Sequence, residues 1–139
     1  MRSRNLLALL ALATVGCESI ASAPPAIPAT YVLEAPVTSQ SEGIRFTLVT
    51  DTLRISTGGG AERRTRWEVE YPDRRDPVTA RTSPYLYELQ GGKIELTYIC
   101  GPAELCAPGP HYIGQFTDGG LILEPAGSQA PMLRYRRID

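Results

Sequence analysis

The stretch YLYELQGGKIELTYIC, residues 85–100, constrains the fold more than any other part of this chain. Apolar and polar residues alternate on both sides of Gly91-Gly92. A period of two sends successive side chains to opposite faces of a strand. Two glycines between such runs supply the positive φ angles of a primed hairpin turn. Residues 85–90 and 93–100 are therefore predicted to form an antiparallel hairpin with one buried face. The same pattern recurs along the chain: YVLEA (31–35), GIRFTLV (43–49), DTLRIS (51–56), AERRTRWEVEY (61–71) and MLRYRR (132–137). HYIGQFT (111–117) and GLILE (120–124) flank Asp118-Gly119, a second primed turn. TGGG (57–60) reads as a turn, and PDRRDPVTARTSP (72–84) as a long loop.

No amphipathic helix stands out. The chain reads as all-β, an antiparallel meander of about eight strands. Eight such strands suffice to close a barrel and remove the exposed edges. An open β-sandwich of two sheets fits the same strands. On the strand 61–71, Trp67, Val69 and Tyr71 are predicted to face inward, with Arg66, Glu68 and Glu70 outward.

The N-terminus carries a different signal. Met1-Arg2-Ser3-Arg4 is short and positive, and Leu6 to Val15 is apolar and uncharged. These are the n-region and h-region of a secretory signal. The run is shorter than the about 20 apolar residues that span a bilayer. It ends at Gly16-Cys17, a small residue directly before a cysteine. This resembles the lipobox of bacterial lipoproteins, although Thr14 stands where that family prefers leucine. The resemblance implies a signal peptide over 1–16, cleavage before Cys17, and diacylglycerol and further acyl chains on Cys17. Ordinary cleavage after Ala21-Ser22-Ala23 is the rival, but Pro24 follows that bond directly. Glu18 replaces the aspartate that retains such lipoproteins at the inner membrane, so the resemblance implies a cell outer membrane location. Residues 17–30 then act as lipid anchor and tether. Their prolines keep them extended, at about 3.1 Å per residue.

Residues 31–139 remain for the folded part, about 110 residues, which suits one domain. This run of strands resembles the small lipocalin-like domains of bacterial lipoproteins, through YLYELQGGKIELTY (85–98) and the closing LRYRR (133–137). The resemblance implies a small lipocalin-like barrel. It carries over no ligand, because Trp67 lies outside the G-x-W context of true lipocalins.

Loss of residues 1–16 removes Arg2 and Arg4 and leaves 12 basic against 15 acidic residues, a formal charge of −3. Such a balance offers no electrostatic footprint for nucleic acid and no polybasic patch for anionic lipid.

Cys100 and Cys106 bracket GPAEL. Outside the cytoplasm disulfides persist, and with Cys17 lipidated an even number of cysteines remains. A disulfide between Cys100 and Cys106 is predicted. A redox-active pair would favour C-x-x-C spacing. His111 is the one histidine; with the two cysteines it would give three metal ligands and no fourth, so no metal and no cofactor are predicted. A Ser-His-Asp hydrolase would need His111, and no G-x-S-x-G elbow is present. Glu68 and Glu70 share a strand face, as a carboxylate pair would, but Arg63, Arg64 and Arg66 surround them, and a solvated face of mixed charge accounts for the group. TGGGAERR (57–64) lacks the Lys-Ser/Thr of a phosphate loop. Six aromatics, Trp67, Tyr71, Tyr85, Tyr87, Tyr98 and Tyr112, can line a cavity or fill the core.

The expectation is a non-catalytic binding or interaction module, held to the membrane by the lipid on Cys17. Its partner would be a small apolar ligand or an envelope protein. A small envelope enzyme, a hydrolase or thiol redox protein, is the alternative.

Overall fold

The computed structural model describes residues 25–139. Residues 1–16, read from sequence as a signal peptide, Cys17 and most of the expected tether lie outside the described residues. Among these residues there are nine strands and no helix. They are β1 (Ala29–Leu33), β2 (Val37–Ser41), β3 (Ile44–Ile55), β4 (Gly60–Glu70) and β5 (Thr79–Gln90), then β6 (Lys93–Tyr98), β7 (Tyr112–Thr117), β8 (Gly120–Pro125) and β9 (Leu133–Arg137).

The order β1-β9-β8-β7-β6-β5-β4-β3 is closed by pairing of β1 with β3, from Ala29↔Ile55 to Val32↔Thr52. The result is a closed eight-stranded antiparallel barrel of lipocalin-like form, not a sandwich, with β2 as an extra strand on the outer half of β3. All eight ring strands find both neighbours within residues 29–137, so the ladder is complete within the described segment. Among the described residues, no helix is long and apolar enough to cross a membrane.

Both glycine hairpins form where the alternation places them, with Gly91 at φ 61° and Gly119 at φ 77°. Three details depart from the sequence reading. Residues 43–49 and 51–56 belong to one strand, β3. Its ladder with β4 steps from Leu48↔Trp67 to Thr50↔Arg66, leaving Val49 as the extra residue of a bulge. The bulge shifts the alternation by one, so Leu48 and Asp51 both face inward. The loop 72–84 is shorter than expected, because residues from Thr79 onward pair with β4. Pro84 sits inside β5 and would ordinarily mark a strand end. It lies just past the end of β6 and accepts a bond from the Ile99 amide at 3.0 Å, so its missing donor falls where that ladder has already finished. Strand β2, VTSQS, has no apolar alternation to betray it, and its side chains are mostly exposed.

The barrel has unlike ends. The tight turns after β3, β5 and β7, the start of β1 and the end of β9 share one end. That end is packed: Tyr31, Leu53, Ile55, Ile94, Leu121 and Leu123 are each no more than 2% exposed. The longer loops after β4, β6 and β8 share the other end. The chain from Pro25 joins the barrel at the packed end, through β1.

Candidate functional site

Between the packed core and the looped end lies a buried ion pair. Along β4 the residues Ala61, Arg63 and Thr65 face inward and are buried, while Arg64 and Arg66 face solvent. Arg63 therefore does not belong to the solvated mixed-charge face. The strand period, which governs every residue of β4, carries it inside at 3% exposure. An unpaired guanidinium there would be costly. Arg63 Nε donates to Asp51 Oδ2 at 2.7 Å, and the Tyr135 hydroxyl donates to the same oxygen at 2.7 Å. The Arg63 guanidinium also lies 4.5 Å from the centroid of the Tyr112 ring. Burial works to lower the Arg63 pKa, but neighbouring Tyr135 and Asp51 outweigh it and hold the guanidinium above its ordinary range. Asp51 Oδ1 is buried without a partner among the described residues.

Three tyrosines feel the same interior. Burial pushes Tyr135 above its usual range, opposed by Arg63 and reinforced by Asp51. Burial likewise raises Tyr85, with Tyr112 adding to it and Arg63 opposing, and raises Tyr31 against the charge of Arg137. A folded value above the unfolded one stabilises the fold below the unfolded pKa and is lost as pH rises. Ultraviolet titration is expected to find Tyr31, Tyr85 and Tyr135, of seven tyrosines, ionising later than the ordinary value of about 10. Stability should decline as pH climbs past that point. Simultaneous titration of all seven in the folded protein would contradict the buried assignment.

Above the ion pair the barrel opens into a cavity of two adjoining lobes, about 360 and 290 Å³. Arg63, Trp67, Tyr112 and Pro125 border both. Of the six candidate aromatics, Trp67, Tyr85, Tyr98 and Tyr112 line it. Trp67 points inward as expected, but it is half-buried at the mouth and not sunk in the core. Tyr71 packs instead beneath the Arg74 guanidinium, 4.0 Å from its ring. Tyr87 donates to the Ser56 carbonyl at 2.8 Å, near the packed end.

His111 borders the larger lobe. Its Nδ1 accepts the Tyr98 backbone amide at 3.1 Å, which leaves Nε2–H as a donor. In this arrangement it offers a hydrogen bond to the cavity and not a free base.

Cys100 and Cys106 stand at disulfide-bonding distance, their Cα atoms 6.2 Å apart. Glu104 completes a potential ligand cluster with them, but bonded sulfurs are not thiolate ligands. His111 is not part of that cluster. Glu104 is held locally: it accepts from the Tyr98 hydroxyl at 2.8 Å and the Gly101 amide at 3.0 Å. These bonds, the Gly101 amide first, keep its carboxyl below the usual range. The Cys100→Ser/Cys106→Ser variant should lose about 2 kcal/mol, the chain-entropy value for so short a loop, and stay folded. A thiol assay of denatured native protein that found both cysteines free would refute the bridge.

Glu70 pairs with Arg45 at 3.0 Å and Arg75 at 3.3 Å on the surface, as a solvated charge cluster does. TGGG forms the turn between β3 and β4 at the packed end, with Gly58 at φ 92° and Gly59 at φ 90°. The buried Asp51–Arg63–Tyr135 group was not singled out from sequence. The signal was present: with strand 61–71 phased by Trp67, Arg63 falls on the inward side.

No protein-family model, curated protein or solved structure matches this chain.

Proposed function

We propose that this chain is a membrane-anchored extracytoplasmic lipoprotein of the cell envelope, and that its barrel is a non-catalytic module binding a small molecule. The observation that carries the reading is the asymmetry of the barrel. One end is packed solid, and the other opens into an aromatic-lined cavity on the scale of small-molecule sites. The tether side is the packed side, so a lipid on Cys17 would place the mouth away from the membrane; Glu18, in place of an aspartate, supports the outer one. The donor state of His111 weighs against the hydrolase alternative.

An envelope protein as partner is favoured by one separate feature. Leu105 is fully exposed on the loop between Cys100 and Cys106, beside the mouth. Such a pinned apolar residue loses little entropy on docking.

Two measurements test the proposal. Cys17→Ser should move the protein from the membrane to the soluble fraction, or leave the precursor uncut; normal processing and unchanged membrane partition would refute the anchor. Native mass spectrometry of the purified protein should find a small molecule retained by the barrel. A barrel that never carries one, together with a protein captured through Leu105, would replace the ligand reading with the partner one.

A further inference from the structure

We infer that the cavity binds a single-chain amphiphilic carboxylate, with its acid group in the larger lobe and its tail in the smaller; this rests on the ligand-binding reading above. The larger lobe is a collection of donors. Arg63, Arg81 and His111 border it, along with the hydroxyls of Thr65 and Ser83. Among the described residues, no aspartate or glutamate lines either lobe. Donors gathered in a partly desolvated site without a lining carboxylate are complementary to an anion, and charge-assisted bonds are the strong ones.

The donors are also held in place. Asp51 binds Arg63 from the core side, and Tyr112 packs against the guanidinium. Arg63 Nη2 also meets Asp51, and Arg63 borders the cavity alongside Tyr85. Arg81 is anchored at the rim through its bond to the Tyr98 hydroxyl at 3.2 Å. Such fixed donors lose little freedom when a ligand arrives.

The charge count disfavours a dianion. Asp51 offsets Arg63, and Glu104 is coupled to Arg81 through Tyr98. The two arginines and two carboxylates balance, so the site offers directed donors without a surplus positive charge to match a phosphate dianion. A carboxylate, with one charge shared over two acceptor oxygens, makes the smaller demand.

The smaller lobe is the more apolar of the two, although the shared Arg63 and the hydroxyls of Ser39 and Ser128 also border it. Val37, Leu48, Ala130, Pro131 and Leu133 border it, and Trp67 stands between the two lobes. Its volume of about 290 Å³ is near the lower limit of small-molecule sites, which suits one slender chain.

The test is a titration of the barrel, residues 25–139, with decanoate and with decanol, at neutral pH and low salt. Calorimetry and the emission of Trp67, the one tryptophan, report binding. Decanoate should bind at least about tenfold more tightly than decanol, the scale of one charge-assisted bond. Arg81→Gln, at an exposed position that the fold does not need, should abolish most of that preference by weakening decanoate far more than decanol. Inorganic phosphate and acetate should displace decanoate only weakly. Equal affinity for acid and alcohol would overturn the inference and leave the ligand-binding reading intact. Displacement by inorganic phosphate as readily as by decanoate would overturn it in favour of a bare anion site. Failure of both amphiphiles to bind would overturn it too; the retained-molecule experiment above then judges the broader reading separately.

Discussion

Replacing Arg63 with methionine is expected to cost about 3–5 kcal/mol, the toll of removing one member of a buried ion pair. The reason lies with the partner left behind. The Asp51 side chain is 0% exposed, and Arg63 and Tyr135 supply its hydrogen bonds, both on Oδ2. Without Arg63 the carboxylate keeps one neutral donor, the Tyr135 hydroxyl. For a domain of this size the loss corresponds to a fall in Tm of about 10–20 °C. Urea unfolding of residues 25–139 measures it. The double variant Asp51→Leu/Arg63→Met strands neither charge and should recover most of the loss. If Arg63→Met alone costs less than about 1 kcal/mol, the value of a surface pair, then water reaches Asp51 and the ion pair is not the sealed floor of the cavity.

That ion pair also marks where the sequence was hard to read. The hairpins at Gly91-Gly92 and Asp118-Gly119 were legible because turn chemistry and alternation are both local. The inward placement of Leu53, Ile55 and Leu96 follows from the same alternation, and all three are fully buried. Arg63 obeyed the identical rule, yet its charge suggested solvent. What rescues it, Asp51, lies across the sheet on β3, and the bulge at Val49 sets its phase. Neither the pairing nor the bulge is written in a local pattern. The start of β5 at Thr79 was hidden for a related reason: Pro84 is a strand breaker in general, and only the length of β6 makes it harmless here. The cavity depends on which inward positions lack a large apolar side chain at one end of a closed ring. Ring closure itself is a long-range fact, fixed by β1 meeting β3. The cysteine pair was legible because a six-residue separation limits how far apart the two can lie.

Ring closure is tested most sharply at two buried glycines. Gly114 lies inward on β7, directly between Ile94 and Leu123 in the ladders. A Cβ there would stand 2.6 Å from Ile94 Cγ2 and 2.7 Å from Leu123 Cδ2. Leu123 Cδ2 is the end of a side chain that can rotate, and Ile94 Cγ2 is a branch methyl that moves only with χ1, so Gly114→Ala should cost about 1–3 kcal/mol, the usual range for overpacking. Gly120 opens β8, and its Cβ would stand 2.5 Å from the carbonyl oxygen of Tyr135. That oxygen is backbone, on a strand held by β8 on one side and β1 on the other. It cannot turn aside, so an added methyl must force β8 and β9 apart. Gly120→Ala should therefore be the costlier substitution, at about 3 kcal/mol or more. It should also disturb the ion pair, because Tyr135 carries the hydroxyl bound to Asp51. The Tyr135 hydroxyl should then ionise at lower pH than in the native barrel, while Gly114→Ala leaves it unchanged. Denaturant unfolding and tyrosine titration of the two variants decide the matter. Equal costs, with Tyr135 titrating alike in both, would mean that β8 and β9 can part without loosening the ring, and that the rigidity assigned to the cavity floor does not come from barrel closure.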